Sequence, residues 1–291
     1  MGRVVCIHHN DLDGRCAAAI VIKKFPEALC LETNYDQVFP VNLCQKNDTV
    51  YMVDFTPDKL ADFQRLLEIT DDVHWIDHHG KNIAEYPFYN KALKGTRVES
   101  KPSGAMLTWE YLFPHIDAPK AVAHTSDYDC WIWAFGKLTK LFEAGINTIP
   151  HYPHDKLWID LLSTDLVTEG KIFNEIIQRG EIVIEYRNQL YSDIVQTIAF
   201  ECELDEYTVI ACNCPNVGSS LFDSINSSNY DIMSTFRSNG ESVVISLYSE
   251  HPHIDCGDLA KKYGGGGHKG AAGFECKDVP YTNIKPINDN N

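Results

Sequence analysis

The feature that most constrains this chain is a recurrence in its first half. Short apolar runs end in a turn rich in aspartate and histidine, and a helical pattern follows. Residues 4–7 run into His8-His9-Asn10-Asp11-Leu12-Asp13-Gly14, residues 49–55 carry Asp54 near their end, and residues 73–76 run into Asp77-His78-His79-Gly80. Apolar runs of this length, bounded by turn residues, fit strands covered on both faces. Between them, residues 15–25 place Ala17, Ala18, Val21 and Ile22 on one helical face. Pro57 suits the first turn of a helix reaching about Ile69, with Thr56 as its cap. Ser103 opens a further helix carrying Ala105, Leu107, Trp109 and Leu112. This alternation predicts an α/β fold with an N-terminal parallel sheet flanked by helices. In such sheets, ligands bind beyond the carboxyl ends of the strands, where the acidic turns fall.

The second half reads differently. Residues 155–195 are helical, with Ile172, Phe173, Ile176 and Ile177 followed by Val183, Tyr186, Leu190 and Ile194. Strands are expected at 207–212, 231–236 and 242–248, the last two joined as a hairpin through Asn239-Gly240. A short helix at 257–263 leads into four glycines. The expected organisation is a domain over 1–195 that includes a helical connector, then a smaller α+β domain over 196–291. A length of 291 residues with 44% hydrophobic content is enough for two cores. The formal charge of −16 argues against coating long nucleic acids, which takes a basic face, but leaves room for a local phosphate site. Ten cysteines with scattered spacing read as reduced thiols. No apolar run approaches the roughly 20 residues of a membrane span, and the first residues lack signal-peptide architecture. A cytoplasmic protein with no membrane partner is expected.

Taken singly, each acidic turn has an ordinary explanation. Asp11 and Asp13 could cap a helix, Asp54 could close a turn, His78 and His79 could be surface residues, and His124 to Asp129 could be a polar loop. Together, at successive strand ends of one sheet, they compose a site for divalent cations. Carboxylates and imidazoles are the donors such ions take, and a neighbouring acid often orients a ligating histidine.

In order and spacing, HNDLDG, VDF, DHHG and SDYD resemble the four motifs of the DHH phosphoesterase superfamily. The segment GGGGHKGAAGF at residues 264–274 resembles the signature of the DHH-associated C-terminal domain. The HNDLDG form is most similar to the nano-RNase, or oligoribonuclease-like, branch. The resemblance implies two divalent ions, manganese by family expectation, held by His9, Asp11, Asp13, Asp54, His78 and Asp127. Asp54 and Asp127 would bridge the ions, and Asp127 is preferred over Asp129 on alignment of the preceding residues. It gives Asp77 the role of orienting His78 and places His79 toward the substrate phosphate. One departure stands out: many relatives carry a histidine four residues before the first aspartate, where this chain has Ile7. His9 then takes that role, with His8 in reserve.

Gly265, Gly266 and Gly267 can present backbone N–H groups to an anion, with His268 beside them and Arg237 as a bidentate phosphate partner. A flexible linker and a surface arginine are the plainer readings. Ser103, with Gly104 at a helix start, is a further phosphate-contact candidate, and Arg97 and Lys101 would add positive potential nearby. Tyr128, Trp131 and Trp133 follow the fourth motif and could stack a base, although packing in a core or cleft is the commoner fate of such residues. The expected function is a manganese-dependent phosphodiesterase that hydrolyses short single-stranded oligonucleotides, RNA or DNA, to mononucleotides by two-metal activation of water. Rival readings are a phosphohydrolase of linear dinucleotides, nucleoside bisphosphates, pyrophosphate or polyphosphate, and a non-catalytic nucleotide sensor. A homodimer stays open.

Overall fold

A computed structural model of the chain describes residues 2–35 and 37–287, with the side chains of Lys81, Asn82 and Ser227 outside that description. The chain divides into two compact units, Met1–Ile184 and Glu185–Asn291. The division falls inside a long helix.

The first unit runs β1 (Val4–His9), α1 (Leu12–Lys24), β2 (Leu29–Thr33), β3 (Thr49–Val53), α2 (Leu60–Ile69), β4 (Val73–Ile76), α3 (Gly80–Glu85) and α4 (Pro87–Ala92). It continues through α5 (Gly104–Leu112), α6 (Lys120–Asp129), α7 (Lys137–Ile146) and α8 (Lys156–Leu161) into α9 (Leu166–Ile198). The four strands are parallel in the order β2-β1-β3-β4. Side chains alternate across the pleat. Cys6, Tyr51, Val53 and Ile76 pack on one face with the small residues of α1 and with Leu107, Trp109, Phe142 and Trp158. Val5, Ile7, Val50, Met52 and Trp75 pack on the other with Phe39, Phe63, Leu66 and Tyr86. The chain leaves β1 for β2 on one side and returns to β3 on the other. Strand order therefore reverses between β1 and β3, the place where α/β sheets leave a crevice for ligands.

Two local expectations change. Helix α2 starts at Leu60 with Lys59 at its cap position, and Thr56 instead hydrogen-bonds Asp77 and the Trp75 indole N–H. The SDYD stretch is the last turn of helix α6 rather than a loop.

In the second unit follow β5 (Phe200–Leu204), β6 (Tyr207–Asn213), β7 (Ile232–Ser238), β8 (Val243–Tyr248), α10 (Cys256–Lys262), β9 (Gly266–Gly267), β10 (Ala271–Cys276) and β11 (Thr282–Pro286). They form a sheet in the order β11-β5-β6-β7-β8-β10-β9, antiparallel except where β6 meets β7. The expected hairpin joins β7 to β8. Its turn places Gly240 at φ +92°, and the Asn239 carboxamide oxygen accepts from the backbone N–H groups of Glu241 and Ser242. Helix α10 packs Leu259 and Ala260 against Val209, Phe236, Ile245, Leu247 and Phe274. The architecture is thus mixed α/β, a helix-flanked parallel sheet followed by a sheet-based second domain. Among the described residues, no helix is long and apolar enough to cross a membrane.

Candidate metal centre

The site lies at the carboxyl ends of β1, β3 and β4 in the first unit. Strand β1 delivers His9, and Asp11 caps α1 by accepting the Gly14 N–H at 2.8 Å. Asp13 lies in the first turn of that helix. Asp54 directly follows β3 with φ +53°, a left-handed backbone that aspartate tolerates better than most residues. His78 and His79 follow β4, and the last turn of α6 brings Asp129, with Cys130 capping it. Helix α5 approaches so closely that a Cβ on Gly104 would lie 2.5 Å from the Asp54 Cβ. Glycine is required there to let Asp54 sit where it does.

Distances knit these groups together. His9 Nδ1 lies 2.7 Å from Asp11 Oδ2 and 4.0 Å from Asp54 Oδ2. His78 Nε2 lies 3.2 Å from Asp54 Oδ1, 3.4 Å from Asp129 Oδ2 and 4.0 Å from Asp13 Oδ2. His79 Nδ1 is 2.7 Å from Asp77 Oδ1 and 3.9 Å from Asp54 Oδ1. Among the described residues, three sets of ligand atoms lie mutually within 4.8 Å: Asp54 with His78 and His79, His78 with Asp129 and Cys130, and His9 with Asp11 and Asp54. The side chain of Asp54 is only 1% exposed, yet among the described residues neither of its oxygens finds a hydrogen-bond donor. Nδ1 of His78 is likewise buried without a hydrogen-bond partner.

Electrostatics show why a cation fits. Burial pushes the Asp54 carboxyl well above the usual range, and Asp13 and Asp11 push it further. Burial, then Asp129, raises Asp13 to about 7. Burial would lower His78, but Cys130, Asp13, Asp129 and Asp77 outweigh it and raise the imidazole to about 9. Buried carboxylates this close repel when ionised, and a divalent ion among them relieves that repulsion while satisfying the orphaned oxygens. Asp77 differs: burial disfavours its charge, but the His79 ring, the Thr56 hydroxyl and the backbone N–H groups of His78 and His79 hold it below the ordinary range. It is a stable anion that orients His79.

Several expected residues stand elsewhere. Asp127 is outside the cluster: its carboxylate accepts from the Ala134 N–H at 2.7 Å, the Phe135 N–H at 3.3 Å and the Thr139 hydroxyl. Residues two apart on a helix point to different sides, so α6 turns Asp129 toward His78 and Asp127 away from it. Asp77 meets His79 through its side chain and His78 only through the backbone N–H. His8 is buried on the face shared with Cys6, its Nδ1 2.7 Å from the His9 carbonyl, and burial lowers it to about 4. Ser103 is buried and donates to Asp13 Oδ1 at 2.6 Å while capping α5. Its hydroxyl serves the carboxylate rather than an external phosphate. Arg97 caps backbone carbonyls of Trp75, Asn90, Leu93 and Lys94. Cys130, beside Asp129 and His78, carries no spacing signal in the sequence, because a lone thiol after an acidic motif fits no ligand pattern.

In the second unit, Arg237 borders a cavity of about 340 Å³ with Asn216, Thr235, Ser246 and Tyr248. The glycine segment does not line it. Cross-strand register sets Thr235, Ser246, Gly273 and Gly266 in one row, with Arg237 two residues along β7 from that row. Arg237 and the stretch from Gly265 to His268 are therefore separated by two intervening strands instead of meeting in one clamp. Strand β10 buries only Phe274.

No family profile matches the chain. The uncharacterized protein R106 of Acanthamoeba polyphaga mimivirus is 25% identical over 236 residues, 79% of this chain and 53% of that protein. The chain thus spans about half the length of the curated relative it matches. Among solved structures, the pGpG-specific phosphodiesterase PggH of Vibrio cholerae aligns with a TM-score of 0.54 at 14% identity, covering 95% of this chain and 94% of that one. The DHH domain of a member of the s1p family of ribosomal proteins aligns with a TM-score of 0.59 at 12% identity, covering 97% of this chain and 83% of that one. With its parallel sheet, helices and second sheet domain, the chain has the fold of DHH-domain proteins.

Proposed function

We propose that this chain is a cation-dependent phosphodiesterase that hydrolyses short oligonucleotides or dinucleotides to mononucleotides, with manganese as its preferred ion. The observation that carries the reading is Asp54, a buried carboxylate with two orphaned oxygens, with His9, His78 and His79 around it and Asp129 joined to it through His78. A non-catalytic scaffold gains nothing by keeping such a group. His9, Asp11, Asp13, Asp54, His78 and Asp129 would hold the ions, and the mixture of imidazole and carboxylate suits manganese better than magnesium. Divalent ions bound there supply Lewis-acid polarisation of a phosphoryl oxygen and lower the pKa of water.

The chain's own groups do the rest. Asp77 accepts from the His79 Nδ1–H, which leaves Nε2 of a side chain 35% exposed to face the substrate, where the doubly protonated ring would donate to a phosphoryl oxygen or to the leaving oxygen. Ser103 and the Ala105 N–H fix the Asp13 carboxylate from α5. A pGpG-specific phosphodiesterase built on the same fold is consistent with a substrate of this size.

The test is hydrolysis of a labelled dinucleotide with manganese, beside Asp54→Asn. Asparagine tolerates the same left-handed backbone, so the variant keeps the fold and loses the charge. The expected loss is on the order of 100-fold or more in kcat/KM, above that of a typical outer partner of a metal ligand. Parent protein that cleaves no dinucleotide, or an Asp54→Asn variant as active as the parent, refutes the proposal.

A further inference from the structure

We propose that Trp131 is a stacking platform for a substrate nucleobase, held beside the metal centre by a loop that Asp127 fastens. This rests on the reading of the centre as a phosphate site and adds to it the part of the substrate that is not phosphate.

Trp131 is 73% exposed, and its neighbours Ile132 and Phe135 are also open to solvent. Trp131 has φ +52° and Trp133 φ +60°, left-handed conformations that bulky side chains seldom adopt and that persist only where the surroundings impose them. Those surroundings are on view. Besides the Asp127 carboxylate contacts to Ala134, Phe135 and Thr139, the Asp127 carbonyl accepts the Ile132 N–H at 3.0 Å, and the Tyr128 carbonyl accepts the Trp131 N–H at 3.1 Å. The Phe135 ring packs 4.4 Å from the His124 ring. Trp133 stands edge-on to Tyr128 at 5.8 Å and to Trp131 at 5.5 Å, with Lys140 Nζ 5.5 Å from its ring centroid. An indole presented to solvent on a strained backbone that a buried acid fastens is a prepared surface.

Position names the occupant. Trp131 lies two residues beyond Asp129, so the two Cα atoms are at most about 7 Å apart. Asp129 Oδ2 in turn lies 3.4 Å from His78 Nε2. That separation is within the reach of one nucleotide, whose sugar would join a phosphate at the centre to a base on the indole. Every base has a π-face, so such a platform gives affinity without sequence preference. Pyrophosphate and polyphosphate have nothing to place there, which assigns the site to nucleotides.

The experiment is equilibrium binding, in manganese, of a nucleoside monophosphate and of ribose 5-phosphate to the parent, Trp131→Ala and Trp131→Phe. Sedimentation and a thermal melt accompany each protein. The parent should bind the nucleotide more tightly than the sugar phosphate. Trp131→Ala should lose roughly 5- to 150-fold for the nucleotide alone, the range of one base–aromatic stack, and Trp131→Phe should keep most of it. Equal affinity of the parent for both ligands, or a Trp131→Ala variant with undiminished nucleotide binding and an unchanged melt, overturns the platform while the phosphate reading stands. No manganese-dependent binding of either ligand to the parent overturns both. A change in oligomeric state with unchanged nucleotide affinity makes the patch a subunit contact and also overturns it.

Discussion

Asp54 and Asp13 hold their carboxylates in places that water-exposed acids never meet, and the cation-free protein should show it in its response to pH. Burial, with Asp129 alongside, raises Asp13 to about 7, whereas in the unfolded chain it titrates near 4. Between these values the folded state binds more protons than the unfolded state, so this residue's contribution to stability falls as pH rises from about 4 to about 7. His78, raised to about 9, works in the same direction in a higher window. Its stabilisation is full below about 6.5 and is lost as pH rises through about 9. In chelator-treated protein, the melting temperature of the parent relative to Asp13→Asn should therefore fall between about pH 4 and about pH 7. Excess manganese should flatten that trend. A relative melting temperature that climbs across this window would contradict the placement of Asp13 in the centre.

At the scale of elements, α6 does two jobs with one turn. Helical periodicity sets Asp127 and Asp129 about 200° apart, so one acid fastens the 130–136 loop and the other meets His78. Asp127→Asn should leave a backbone N–H facing an amide donor and cost about 1–3 kcal/mol, lowering the melting temperature by several degrees while sparing manganese affinity. Asp129→Asn should weaken manganese binding by about 10- to 100-fold without lowering the melt of cation-free protein. Manganese titrations followed by melting separate the two, and the reverse ranking would return the ligand role to Asp127. This pair also marks what could be read from the sequence. Buried strands β1, β3 and β4 announce themselves as apolar runs that end in polar clusters, and Ser103 is visible as a cap. Spacing alone could not choose between Asp127 and Asp129, because the choice depends on the phase of a helix that a run of His, Thr, Ser and Asp disguises as a loop. Contacts such as Ser103 to Asp13 join residues 90 apart in sequence and leave no local trace. Edge strand β2 escaped because it is half exposed and lacks the unbroken apolar character of its neighbours.

Over the whole molecule, the net charge of −16 opposes long polyanions even if one phosphate is held well. Salt should then act opposite to its effect on a basic nuclease. Raising ionic strength from about 0.02 to about 0.2 M should improve kcat/KM for a long oligonucleotide relative to a dinucleotide, because screening relieves repulsion that extends beyond the centre. Measuring both substrates at the two ionic strengths checks this; a relative loss for the long substrate would point to a basic track and against the proposal. The centre is also assembled from distant parts of the chain, from His9 to Asp129, across three strand ends and the helices α1 and α6. Parallel strands pair only after their crossovers have formed, so no short segment can gather this donor set in advance. A nascent chain still short of α6 carries the His9, Asp11, Asp54, His78 and His79 donors but lacks Asp129 and Cys130, so an ion bound among all of them would favour the completed domain over a fragment by what those last donors contribute. Closure of the site by α6 would thereby tie the full strength of cation binding to a finished first unit.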